Sequence, residues 1–139
     1  MIILDTNVLS ESLKPVPSEK VLGWLAAQEP TSVFITAMTQ AEVLYGIERL
    51  RAGRRRERLL AAVEKIFDDV LEGRILPFDG DAARAFARIA AGRQRLGQPI
   101  SQFDAMIAAV ARSHRATVAT RNTSDFEQCG VRIVNPWTE

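Results

Sequence analysis

Acids, amides and hydroxyls recur in this chain at the ends of apolar runs, where they could assemble a metal-dependent site. The opening MIILDTN passes from three large apolar residues directly into Asp5, Thr6 and Asn7. VFITAMTQAE delivers Thr36, Thr39 and Glu42 in the same way, and TVATRNTSD delivers Thr120, Asn122 and Asp125. A further acid, Asp104, follows Ser101 in SQFD. Carboxylates gathered at one point repel, and without a cation some must keep their protons. Mg2+ or Mn2+ is the simplest neutraliser, because hard divalent ions take carboxylate and water oxygens. Such a centre suits hydrolysis of a phosphodiester: the ion activates water, steadies the phosphate oxygens and stabilises the leaving oxygen. Thr6, Asn7, Thr120 and Asn122 can orient carboxylates or waters around it. No covalent nucleophile is required.

Helix capping competes with this reading. Thr39-x-x-Glu42, Ser101-x-x-Asp104 and Asn122-x-x-Asp125 all resemble capping boxes. An acid in a first turn also complements the helix dipole. The two roles are compatible, since a helix N-terminus favours the ionised carboxylate that a metal needs. Asp5 caps no obvious long helix, so the ligand or catalytic reading is strongest there.

Other chemistries lack their parts. His114 is the only histidine and Cys129 the only cysteine, which excludes a zinc site of the usual composition. His114 falls at a helix end, where a charge–dipole or surface role is expected. Neither a G-x-x-x-x-G-K-[ST] phosphate loop nor a G-x-G-x-x-G turn occurs. Ser10 and Ser101 have no histidine partner for a triad. Trp24 and Trp137 are expected to pack rather than stack on bases.

The acids can meet only if the fold brings them to one edge. Short strands are expected at Ile2–Leu4, Val33–Thr36, Ile75–Phe78, Thr117–Thr120 and Val131–Val134. Helices are expected at Val8–Leu13, Glu19–Gln28 behind an N-cap at Ser18, Thr39–Leu50 and Arg55–Glu72. Three more follow: one from Asp79 or Asp81 to Leu96, one from Ser101, and a short one over Asn122–Gln128. Strands alternate with helices throughout, and the strands are apolar and β-branched. That pattern belongs to a parallel sheet covered on both faces. In such a sheet the ligand site lies beyond the carboxyl ends of the strands. Asp5, Glu42, Thr120 and Asn122 meet that rule. Asp104 does so only if its helix starts at the carboxyl side, which spacing alone does not establish.

At 139 residues, a single domain over 1–139 is expected. The 47% hydrophobic and 25% charged composition is that of an ordinary globular protein. The lone cysteine fits a reducing cytoplasm, and no signal peptide or membrane span is evident. Net charge is only +1, but RLRAGRRRER packs Arg49, Arg51, Arg54, Arg55, Arg56 and Arg58 into ten residues. That cluster is a solvated face, a phosphate contact or a docking surface for an acidic partner.

IILDTNVLSE, TAMTQAEVLYGIERL, QFDAMIAAVARSHRATVATRNTSDF and VRIVNPW together resemble a PIN-domain ribonuclease, and most closely the VapC and FitB-type toxins of type II toxin–antitoxin pairs. The resemblance spans nearly the whole chain. It implies a three-layer α/β/α fold with about five parallel strands in the order 3-2-1-4-5. It implies an acidic pocket of Asp5, Glu42 and Asp104, with Asp5 and Asp104 as the principal Mg2+ ligands. Asn122 is expected to fill the fourth catalytic position, with Asp125 as a peripheral acid or helix cap. Thr6, Asn7 and Thr120 would support the ligands. The activity implied is Mg2+-dependent cleavage of RNA, with Mn2+ as an alternative ion. A small DNA-binding antitoxin would neutralise it, docking in a groove along the helical pair around Val43–Leu71. A homodimer is also implied, for which Ile107, Ala108 and Ala111 are candidates if the monomer core does not take them. Arg49, Arg51, Arg54, Arg55 and Arg56 could contact RNA or antitoxin. Two other functions stay open: a non-catalytic RNA- or partner-binding module, and a nuclease of RNA processing outside a toxin system.

Overall fold

The computed structural model describes residues 1–139. β1 (Ile2–Leu4) is followed by α1 (Thr6–Ser12) and α2 (Glu19–Ala26), then β2 (Val33–Thr36), α3 (Ala37–Glu48) and α4 (Arg54–Lys65). β3 (Ile75–Leu76) leads to α5 (Gly80–Arg95) and α6 (Gln102–Ser113), and the chain closes with β4 (Thr117–Ala119) and β5 (Arg132–Val134). The five strands form one parallel sheet in the order β3-β2-β1-β4-β5. The expected architecture and strand order are therefore observed.

Strand alternation assigns each side chain to a face. Ile3 sits opposite Phe34 and Val118, and these pack with Ile133 against α5 and α6. Leu4, Ile35, Ala119 and Val134 point the other way, onto α1, α3 and α4. Parallel strands buried on both faces need this unbroken apolar sequence. On the first face, Ala105, Ile107, Ala108, Ala109, Val110 and Ala111 are all essentially inaccessible. Their small volume lets α6 lie close to the sheet and α5. Ile107, Ala108 and Ala111 are core residues, so the dimer-face role considered for them is excluded.

Several boundaries differ from expectation, each for a local reason. α1 begins at Thr6 rather than Val8, because the Asp5 side chain caps it. α3 begins at Ala37 rather than Thr39, because Thr36 is its N-cap. The long helix expected to Glu72 ends as α-helix at Lys65 and widens into a π-turn over Ile66–Val70, with Phe67 and Leu71 both buried. Gly73 then takes a left-handed φ of 72°, a conformation open to glycine at no steric cost. Asn122–Gln128 contains only a 3-10 turn, Thr123–Phe126. Ser18, Asp79 and Ser101 cap their helices as expected. No helix is long and apolar enough to cross a membrane.

Candidate functional site

Asp5 ends β1 at the carboxyl edge, its N–H donating to Ala119 O at 2.9 Å. The residue is only 5% exposed. Oδ1 accepts the Thr6 N–H at 2.8 Å. Oδ2 accepts the Thr120 hydroxyl at 2.8 Å and Asn7 Nδ2 at 3.1 Å. Three donors thus hold one carboxylate, two of them brought by the residues directly after it. Thr120, fully buried after β4, also accepts the Asn122 N–H at 3.0 Å, and Asn7 Oδ1 accepts the Arg121 N–H at 3.2 Å. The segments after β1 and β4 are therefore stitched together by side chains.

Thr6 links Asp5 to the next acid. Its hydroxyl donates to Glu42 Oε1 at 2.8 Å, with Thr39 Oγ1 3.2 Å away. Thr36 Oγ1 accepts the Thr39 N–H, so Thr39-x-x-Glu42 is not a capping box. Glu42 lies in the second turn of α3, beyond capping range, and its half-buried carboxyl is left to the site. Asp104 does occupy a first turn, where Ser101 Oγ accepts its N–H at 3.2 Å.

The electrostatics tie these groups together. Burial pushes Asp5 up to about 6; the Thr120 and Thr6 hydrogen bonds oppose this, while the charges of Asp104 and Glu42 add to it. Glu42 is raised by burial and by Asp104, against its bond from Thr6. Asp104 is raised by burial and by Asp125, against the Ser101 bond and the Arg93 charge. The Asp104 charge therefore reaches both Asp5 and Glu42, which brings the α6 start to the same edge as those acids. The Asp125 charge adds to the rise at Asp104. Asn122 is exposed, makes no side-chain hydrogen bond and joins the network through its N–H.

The donor set suits a hard cation. It consists of carboxylate oxygens backed by hydroxyls and amides, held at raised proton affinity that a positive charge would relieve. No three acidic, histidine or cysteine side chains are grouped tightly enough to hold an ion by themselves. An ion here would take two carboxylates and complete its shell with water, as Mg2+ commonly does.

Arg93 is the site-supporting residue that sequence reasoning missed. It is 6% exposed and pairs with no carboxylate. Nη1 donates to Asp125 O and Glu127 O, both at 2.9 Å, and to Cys129 Sγ at 3.7 Å, and Nε donates to Gln98 O at 2.6 Å. One guanidinium thus joins the loop before Asp104 to the segment carrying Asn122 and Asp125. Its signal was available: Ala82, Ala85, Ile89 and Arg93 share the buried face of α5 at helical spacing.

The arginine-rich cluster meets the acids at one member, Arg55. Arg49, Arg51, Arg54 and Arg55 are exposed; Arg49 lies over the Tyr45 ring at 5.6 Å, and Arg56 pairs with Glu48 at 2.5 Å. Arg55 and Glu42 both line a depression of about 270 Å3 between α1, α3 and α4, with Leu13, Val43, Ile47 and Leu59.

A family model described as PIN domain matches residues 2–130. The chain is 43% identical over 137 residues to VapC ribonuclease Y4jK of Sinorhizobium fredii, covering 99% of this chain and 98% of that protein. It is 40% identical to toxin FitB of Neisseria gonorrhoeae, with 99% of each covered. It is 31% identical to the tRNA(fMet)-specific endonuclease VapC of Shigella flexneri, covering 98% of this chain and 97% of that one. Among solved structures, FitAB bound to an IR36 DNA fragment superposes with a TM-score of 0.94 at 40% identity, covering 99% of this chain and 96% of that one. DNA-bound VapBC from Salmonella typhimurium gives 0.83 at 34% identity, with 97% of each chain covered.

Proposed function

The chain belongs to the PIN-domain family, and on that premise we propose that it is the toxin of a toxin–antitoxin pair, a metal-dependent endoribonuclease restrained by a cognate antitoxin. The observation that carries this reading is the meeting of Asp5, Glu42 and Asp104 at the carboxyl edge, each at raised proton affinity. Asp5 and Asp104 are assigned as the residues that hold Mg2+, or Mn2+ in its place. The ion would neutralise the carboxylates and supply Lewis-acid stabilisation to the phosphodiester.

The remaining roles follow from contacts. Thr120, Asn7 and Thr6 fix the Asp5 carboxylate, so it needs no rearrangement to serve as a ligand. Glu42, aimed by Thr6, is the group that takes a proton from the attacking water. Asn122 presents an exposed amide to substrate, and Asp125 adds negative charge behind Asp104.

Relatives solved as FitAB and VapBC are complexes, and the depression beside Glu42 gives this chain a place for an antitoxin. An apolar partner segment fits among Leu13, Val43, Ile47 and Leu59, and a partner cation at its end would meet Glu42. We also read the chain as one domain acting in the cytoplasm, as a homodimer whose contacts lie outside the α6 core stripe.

The test is incubation of a cellular RNA pool with antitoxin-free protein in Mg2+, in EDTA, and with Asp104→Asn. Cutting that needs the metal and disappears in the variant is expected. Folded protein that cuts nothing in Mg2+ or Mn2+ would overturn the reading.

A further inference from the structure

A second charged site lies on the opposite edge of the sheet. Arg112, Arg115 and Arg132 line a depression of about 320 Å3, together with Ala116, Thr117, Gly130 and Val131. Thr117 and Arg132 are the first residues of β4 and β5 and stand in register, so this is the amino edge. α6 contributes Arg112 from its last turn, and Arg115 from the turn that follows.

None of the three guanidiniums has a protein partner. The ion pairs of the chain are Lys14–Glu11, Arg56–Glu48 and Arg84–Asp81, and no side-chain hydrogen bond involves Arg112, Arg115 or Arg132. A single cation in the last turn would complement the α6 dipole. Three cations lining one concavity repel one another, and the dipole does not account for them. Gly130 has a left-handed φ of 72°, and a Cβ there would come within 3.2 Å of Arg112 Nε and 3.3 Å of its Cζ. The glycine therefore gives the Arg112 guanidinium a flat surface to rest on. Arg115 itself has φ 55°, the left-handed position that ordinarily takes glycine or asparagine after a helix.

Guanidinium forks match phosphate oxygens, and several on separate elements suit a run of phosphates better than one isolated ion. We propose that this depression is a second RNA-binding site, which takes backbone phosphates of a polynucleotide whose scissile bond lies at Asp5. The proposal rests on the RNA-nuclease reading above. The route between the edges is short. Thr120 lies three residues beyond Thr117 in the sequence, about 10 Å at the ~3.3 Å rise of a parallel strand. β5 is the edge strand that runs along it, and Arg121 stands at the far end, 5.1 Å over the Trp137 ring. An RNA strand leaving the acids thus meets Arg121, follows β5 and reaches the three arginines. The acids repel the rest of the polynucleotide, so a large substrate gains its affinity at a distance from them.

The experiment reads RNA binding by fluorescence anisotropy in EDTA, on the Asp104→Asn background, across a salt series. Combining Arg112→Gln, Arg115→Gln and Arg132→Gln is expected to weaken binding of a single-stranded RNA at least tenfold at low salt. The slope of log affinity against log salt is expected to fall by about 2, at ~0.7 for each single-strand phosphate that is no longer neutralised. The control removes the same charge from the exposed face of α5, with Arg84→Gln, Arg88→Gln and Arg95→Gln, and is expected to change affinity less than threefold. Circular dichroism checks folding. If the triple variant does not fold, Arg132→Gln alone is expected to lower the slope by about 0.7. Equal slopes for the triple variant and the control, or no RNA binding by the parent, would overturn the proposal. In a free-anion arm, inorganic phosphate is titrated against isotope-labelled protein. Amide shifts at Thr117 and Gly130 with an unchanged RNA slope would overturn the polynucleotide assignment in favour of a free-phosphate site. Binding is read without cleavage, so wild-type protein that cuts no RNA defeats the nuclease reading and leaves this test standing.

Discussion

The two edges of the sheet carry opposite charge and hold it in opposite ways. At the carboxyl edge Asp5 is buried and receives three donors, and Glu42 and Asp104 are half-buried beside it. At the amino edge Arg115 and Arg132 are exposed, Arg112 is half-buried, and none is bonded to protein. The carboxyl edge is fixed in place at an electrostatic penalty, visible as raised proton affinities. The amino edge carries its charge mostly in water at little penalty. On the proposed reading, that difference separates an edge for chemistry from an edge for binding. A reacting centre needs its groups fixed before the substrate arrives, whereas a backbone contact needs only charge within reach.

The largest difference between the edges is expected at Glu42. Glu42→Gln keeps an acceptor for Thr6 and removes the proposed base. Cleavage is expected to fall about 10²–10⁴-fold, with RNA affinity nearly unchanged. An equal loss of affinity and rate would make Glu42 a binding residue. Next is Arg93, whose loss takes the guanidinium donors from Gln98 O, Asp125 O and Glu127 O and leaves Glu127 O only the Cys129 thiol. Arg93→Met is expected to cost about 3 kcal/mol in urea unfolding, since several bonds to a buried charge disappear.

The metal-free pH dependence tests the penalty directly. The Asp5 pKa of about 6 in the folded protein exceeds the ordinary 3.8. Its contribution to stability is therefore full below about pH 4 and is lost as pH rises through 6. Asp5→Asn removes that loss. In EDTA it is expected to stabilise the protein at pH 7.5 by up to about 3 kcal/mol, less the bonds it weakens, and not at pH 4. A gain independent of pH would contradict the penalty. The smallest effect belongs to the other edge. Arg132→Gln is expected to shift stability by under ~0.5 kcal/mol at any pH, the ordinary result for an exposed residue.

Much of this was legible in the sequence. Short β-branched runs alternating with amphipathic helices give a parallel sheet, and an apolar strand ending in Asp5-Thr6-Asn7 places an acid at its edge. Glu42 follows a strand end and so could be placed at the same edge as Asp5, but the meeting of Asp104 with them depended on a family resemblance, because no local rule brings the α6 start to the carboxyl edge. What escaped was long-range or competed locally. Arg93 bonds carbonyls 32 and 34 residues away, which no spacing announces. Thr36 and Thr39 are equally good caps by type, and only the strand end decides between them. The amino-edge arginines are scattered in sequence, and the parallel register of Thr117 with Arg132 brings them together.

On the proposed reading, the buried acids hold one divalent cation. Calorimetric titration of antitoxin-free protein with Mn2+ and Mg2+ at pH 7.5, beside Asp5→Asn and Asp104→Asn, decides this. One ion bound per chain by the wild type, and none by either variant, is the predicted result. No binding by folded wild-type protein, or binding that survives both substitutions, would contradict it.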